Sequence, residues 1–255
     1  YADVANKSKR GKPLIDEMTS SPIQSQGMSI TEVIKSLSLR QREIGFVNSE
    51  FLAQMQSYKI GRYMVYFESF RNPQYYTSGV QFTEPQSKEE ALARYGKYAE
   101  AVWVRSLERS VLRQGADAKC NICPAFMPAV EETVAWGNWL IAMNPFPGTA
   151  EDHFVLINQE HRPQISIDEP VIREAIEFVS QTPGVRLLYN GVAASIKEHL
   201  HFNGMFNQFA IEGGYVHFIS HKGEVKISEL ADWPSIGFIF ESENKQALAK
   251  TVGQF

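Results

Sequence analysis

The stretch His199-Leu200-His201-Phe202-Asn203 alternates polar and apolar side chains with a period of two. In an extended strand, residues i and i+2 project from the same face. The stretch therefore predicts a strand with Leu200 and Phe202 in the core and with His199, His201 and Asn203 along one surface. Polar groups in a buried-looking strand need partners or a function, because burying them unpaired is costly. Two satisfied structural histidines are the plain reading. Metal ligation and nucleophilic catalysis are the chemical ones.

The chain as a whole has the composition of a soluble globular protein, 44% hydrophobic and 21% charged over 255 residues, enough to bury a substantial core. A net charge of −4 and a pI near 5.9 argue against a non-specific nucleic-acid binder, which needs a basic face. Small phosphorylated ligands are compatible with it, since a few cations suffice for those. No apolar run approaches the roughly 18 residues of a membrane span, and no signal-type segment is present. The cytoplasm is the default compartment.

Residues 1–28 are polar and Ser/Lys-rich and read as a tail or arm. Ser29 can cap a helix over about 30–57, with Ile30, Val33, Ile34 and Leu37 at helical spacing. A β-rich aromatic run follows at 62–70, then a polar loop, then a helix over about 87–113. Beyond this 29–114 extension, the core at 115–255 reads as strands and tight turns: 134–143, 153–157, 185–189, the His-pair strand, 215–220, 224–227 and 236–241, with one helix at 169–181. The pattern is α+β, an antiparallel meander with an inserted helix and an N-terminal helical extension. No Gly-rich phosphate loop of the Walker or dinucleotide type occurs.

The only two cysteines, Cys120 and Cys123, form a C-x-x-C in Lys-Cys-Asn-Ile-Cys-Pro. Such a pair reads as half a zinc site or as a redox couple. The turn chemistry of Pro124 and Pro128, in place of a helix start, favours zinc.

In combination, Asn144-Pro-Phe-Pro, His153-Phe-Val-Leu-Ile157, Gln159-Glu-His161-Arg-Pro-Gln164, a helix, Tyr189-Asn-Gly191, Ser195 and His199-Leu-His201-Phe resemble the histidine triad superfamily. The upstream C-x-x-C and the amide at position 203 are similar to its branch of galactose-1-phosphate uridylyltransferases and dinucleoside tetraphosphate phosphorylases. The resemblance covers about residues 115–245. It implies that His201 is the nucleophile, attacking the α-phosphorus of a nucleotide to give a nucleotidyl-histidine. It also implies that His199 joins Cys120, Cys123 and His161 around a structural zinc ion, a closed tetrahedral set. His153 is the rival of His161 for that position and reads as structural, holding a backbone group at its turn.

Further roles follow from the same resemblance. Ser195 would contact phosphate, as would the turn at Asn190 and Gly191; Lys197 and Arg71, or Arg62, would neutralise phosphate charge; Asn144 would shape the nucleoside pocket. His217 and His221 read as surface residues. Asn203 departs from the Gln of this branch and from the His of the hydrolase branch. An amide exchanges hydrogen bonds but no proton at neutral pH, which favours transfer over hydrolysis. The implied substrate is a nucleotide, dinucleotide or nucleotide sugar, with phosphate or a sugar phosphate as acceptor. A nucleotide phosphohydrolase and a non-catalytic nucleotide-binding protein are the alternatives. Members of the family pair through their sheets, so the resemblance implies a homodimer or an N-terminal region that covers that face.

Overall fold

A computed structural model describes residues 27–43, 45–47, 56–60, 63–67, 87–95 and 120–255, apart from 121, 125–126, 128–130, 146, 148–149, 151, 195 and 232. Residues 1–26 of the 1–28 arm, Arg62, Arg71 and Ser195, and the expectations placed on them, lie outside the described residues.

Helix α1 (Ile30–Glu43) begins as its sequence indicates. Ser29 Oγ accepts from the Glu32 N–H at 3.3 Å, and the Glu32 carboxylate accepts from the Ser29 N–H at 2.6 Å, a reciprocal cap. Its stripe of Ile30, Val33, Ile34 and Leu37 is buried. The helix stops well short of residue 57. Gly45 takes a φ of 79°, the left-handed conformation that closes helices, and the N–H groups of Phe46 and Val47 both turn back to the Gln41 carbonyl. Residues 56 and 57 instead begin strand β1 (Gln56–Ile60), which pairs antiparallel with β2 (Tyr63–Phe67). Helix α2 (Lys88–Tyr95) marks the start of the second expected helix.

The central sheet has five antiparallel strands in the order β3-β4-β5-β7-β6. They are β3 (Thr133–Trp136), β4 (Trp139–Met143), β5 (Phe154–Asn158), β6 (Arg186–Leu188) and β7 (His201–Met205), with helix α3 (Glu169–Gln181) between β5 and β6. The run at 134–143, expected as one strand, is a hairpin. Trp136 pairs with Trp139 across a two-residue turn, and Gly137 supplies the positive φ, 52°, that tight hairpin turns need. Asp168 caps α3 by accepting from the Val171 N–H at 3.0 Å, with Pro170 in the first turn.

Both faces of this sheet are used. On one, Trp139, Ile141, Met143, Phe154, Leu156 and Phe202 pack with α1 and with Val171 and Phe178 of α3 into the main core. On the other, Ala142 and Ile157 meet Cys120, Ile122 and Met127. His201 stands opposite Ile157, and Asn203 opposite Val155. Directly opposed residues of an antiparallel pair share a face, so His201 and Asn203 lie on this second, cysteine-bearing side. Leu200 and Phe202 enter the main core, as expected.

The chain closes with β8 (Tyr215–Lys222), β9 (Val225–Ala231) and β10 (Phe238–Glu241), a three-stranded antiparallel sheet ordered β10-β9-β8. Helix α4 (Lys245–Gly253), unforeseen in the sequence, is capped by Asn244 accepting from the Ala247 N–H. It docks on α3, where Lys245 bonds Glu177 at 2.8 Å. Antiparallel sheets with segregated helices make the fold α+β. Among the described residues no helix is long and apolar enough to cross a membrane.

Candidate functional site

Four ligand-type side chains converge where the turn of residues 120–123 meets the ends of β5 and β7. The sulfur or nitrogen atoms of Cys120, Cys123, His161 and His199 all lie within 4.8 Å of one another. Cys120 Sγ stands 3.4 Å from His199 Nδ1, and Cys123 Sγ 3.3 Å from His161 Nδ1. A tetrahedral ion with bonds of about 2.3 Å to sulfur and 2.0 Å to nitrogen would place neighbouring donors about 3.5 Å apart, so the set fits. The local chain explains the approach. Cys123 N–H bonds the Cys120 carbonyl at 3.3 Å, a tight turn that brings both sulfurs to one side.

The imidazole tautomers can be read from their partners. His199 Nε2 lies 2.7 Å from the Asn158 carbonyl; a carbonyl only accepts, so Nε2 carries the proton and Nδ1 presents its lone pair to the cysteines. Burial pushes the Cys120 thiol up to about 12 and raises Cys123 as well. Buried thiols of this kind ionise when a cation shares the site.

His201 is next along the chain and 5% exposed. Its Nδ1 lies 2.8 Å from the His199 carbonyl, so the proton sits on Nδ1 and the lone pair on Nε2. Nε2 has no hydrogen-bond partner among the described residues. Burial pulls the imidazole below the ordinary histidine range, which keeps it neutral near pH 7. A buried, neutral imidazole with a fixed tautomer and an unengaged Nε2 is equipped for nucleophilic attack.

The strand is shorter than the alternation suggested. β7 starts at His201, and His199 lies just before it. The Leu200 N–H goes to the Arg162 carbonyl, and the Asn158 carbonyl is taken by the His199 ring instead. His199 thus works from the strand's end rather than from its face.

Asn203 is half-buried, and its Oδ1 accepts from His153 Nε2 at 3.1 Å. His153 is therefore absent from the Cys/His cluster, and its Nε2 engages a side chain of the site rather than a backbone group. The 199–203 alternation gave no hint of this contact, which runs diagonally between β5 and β7. Asn144 lies beside it, its N–H donating to the His153 carbonyl at 2.9 Å. Ser38 of α1 bonds Asp152 at 2.6 Å and so braces the residue preceding His153.

Asn190 and Gly191 follow β6 in an exposed-to-half-buried turn, and Gly191 has a φ of 52°. This turn stands just past Leu188, the register partner of Asn203. The N–H groups of Ala193 and Ala194 are spent on Asn190 and Gly191 carbonyls, so the amides before them are the ones available to an anion. Lys197 is exposed, and so are His217 and His221 on β8.

Residues 103–206 match the family described as domain of unknown function DUF4922. The matched stretch holds all four clustered ligands, His201, Asn203 and His153. No curated protein matches the chain, and no solved structure does.

Proposed function

We propose that this chain is a nucleotidyltransferase or phosphorylase of the kind found in the uridylyltransferase branch of the histidine triad superfamily, with zinc held by Cys120, Cys123, His161 and His199. The observation that carries the reading is the His201 imidazole, whose Nδ1–H is spent on the His199 carbonyl while Nε2 is left as a neutral nucleophile. The zinc would be structural, since two thiolates and two imidazoles fill a tetrahedral shell.

In the first step the Nε2 lone pair attacks the α-phosphorus of a nucleotide sugar or dinucleotide. A P–N bond forms, the P–O bond to the leaving phosphate or sugar phosphate breaks, and the bonding pair departs on that oxygen. In the second step an oxygen of phosphate or of a sugar phosphate attacks the same phosphorus. The P–N bond breaks and its electrons return to Nε2. Nδ1–H facing a carbonyl stabilises the positive charge that the ring acquires in between. With its Oδ1 engaged by His153, Asn203 directs its NH₂ as a donor toward phosphoryl oxygen. The Asn190-Gly191 turn is placed to add backbone donors.

The proximity of His153 to Asn203 favours one second reading, hydrolysis. An imidazole 3.1 Å from the amide is a group able to exchange protons, which the amide itself cannot do. The two readings separate on phosphate dependence. Transfer requires an acceptor, whereas a hydrolase releases nucleoside monophosphate at the same rate with and without added phosphate.

The test is to incubate the chain with labelled nucleotide sugars and dinucleotides and to look for an acid-labile adduct on the peptide containing His201. The adduct is expected in the parent chain and absent in His201→Ala, which should also lose turnover by at least about 10³-fold. Full turnover by His201→Ala on every substrate the parent accepts would overturn the mechanism.

A further inference from the structure

β6 runs only from Arg186 to Leu188, and its last pair is Leu188 with Asn203. At His201 that edge of β7 therefore has no strand beside it. On the other edge His201 stands opposite Ile157, and the ladder bond there runs from the Asn158 N–H to the Leu200 carbonyl. Both main-chain groups of His201 thus face the side that β6 has already left. Buried and unpaired, each would bear its full desolvation penalty.

Gln164 fills this place. Its Oε1 accepts from the His201 N–H at 2.8 Å, and its Nε2 donates to the His201 carbonyl at 3.0 Å. A side-chain amide carries a donor and an acceptor in one plane, as a peptide group does. The contact therefore reproduces the two-bond pair of an antiparallel ladder, with a side chain standing in for the missing strand.

Gln164 is itself fully buried and tied at two further points. Its N–H donates to the Lys197 carbonyl at 2.9 Å, and its carbonyl accepts from the Tyr189 hydroxyl. One residue thus joins the end of β6, the segment leading into the His pair and the main chain of His201. With the ring fixed by Nδ1 and the main chain fixed by Gln164, the position of Nε2 is determined by bonds at both ends of the residue.

We infer that Gln164 is a positioning residue for the His201 nucleophile, acting by clamping the main chain of His201 where β6 runs out. The inference rests on the nucleotidyl-histidine chemistry proposed above. An in-line attack tolerates little displacement, a shift of about 1 Å costing about 10²-fold in rate. Gln164 never touches the substrate, so its loss should appear in the chemical step and spare nucleotide affinity.

The experiment compares the full-length parent with Gln164→Met, which keeps the volume and removes both bonds. Gln164→Glu, which keeps the shape and sets a carboxylate oxygen against the His201 carbonyl, covers the case in which Met does not fold. With metal content and melting temperature measured alongside, the rate of His201 adduct formation at saturating nucleotide should fall by about 10–100-fold. KM should stay within about twofold, since ground-state binding is untouched. A folded, metal-loaded variant that forms adduct within about twofold of the parent rate, or whose whole loss lies in KM, overturns the inference alone. A parent chain that forms no adduct with any nucleotide overturns both the inference and the reading beneath it.

Discussion

Gly204→Ala places a methyl group where the core has no room for one. Gly204 is the register partner of Phe154, and the ring of Phe154 lies flat across it. A Cβ at Gly204 would stand 2.1 Å from Cζ, 2.3 Å from Cε2 and 2.7 Å from Cε1 of that ring. Carbon atoms pack at about 3.5–4.0 Å, so ring and strand must separate by about 1.5 Å. The ring has nowhere to go, for Phe154 is fully buried and tilts against Phe178 at 6.0 Å, which in turn meets Trp136 edge-on at 5.0 Å. Overpacking of this severity belongs at the upper end of the usual range, about 3 kcal/mol. For a chain of this size that is about 6–12 °C in melting temperature. β7 should give way from β5, carrying Asn203 off His153, so activity should fall along with stability. Urea and thermal unfolding of four chains measure it: the parent, Gly204→Ala, Phe154→Leu and the double variant. Because the smaller Leu removes the obstacle, the double variant should recover at least about 1 kcal/mol relative to the sum of the single changes. A Gly204→Ala chain that melts within about 1 °C of the parent, or a cycle with no coupling, would refute the packing argument.

Two further outcomes are expected. Elemental analysis of the purified chain should give about one zinc ion per chain, falling to near zero in Cys123→Ser with a lower melting temperature; a parent chain without bound metal would remove the site. Asp168→Ala should destabilise the chain by about 1 kcal/mol at neutral pH through loss of the α3 cap. The Val171 N–H, and after it Arg162, holds the Asp168 carboxyl below the usual carboxylate range. Its contribution is thus present above the unfolded-state value of about 4 and disappears as pH falls through the lower folded-state value. The stability gap between parent and Asp168→Ala should close over that acidic window, and a gap independent of pH would contradict the capping account.

The features legible in the sequence were those written in local periodicity and spacing. The C-x-x-C stands out by its spacing and the 199–203 alternation sends Leu200 and Phe202 into the core, whereas the two histidines that join the cysteines, 38 and 79 residues away, are indicated only by the family resemblance. The hairpin at Gly137-Asn138 was concealed because apolar residues continue on both sides of it, although the two-residue turn signal was there. The end of α1 at Gly45 is hidden in the sequence because helix formers such as Glu50, Leu52, Ala53 and Met55 follow it. The α4 cap at Asn244 follows the ordinary rule for helix starts. Contacts that depend on register could not be read at all. Which residue faces Asn203, and what pairs with the main chain of His201, are settled only when β5, β6 and β7 are laid side by side. His153 and Gln164 therefore come from the structure.

The Cys/His cluster draws its ligands from three separate stretches of chain, with α3, β6 and Gln164 all lying between His161 and His199. With an ion in place, that whole segment becomes a closed ring, pinned at the two points where it enters and leaves the sheet. A cut anywhere within the ring would leave two fragments still held together at the site. Loop-closure entropy sets little limit on the length of the connections inside this ring, since each doubling costs only about 0.6 kcal/mol, whereas α3, β6 and Gln164 are held by their own packing and hydrogen bonds. The clasp would hold the two ends of the ring together, while Gln164 within it holds the main chain of His201.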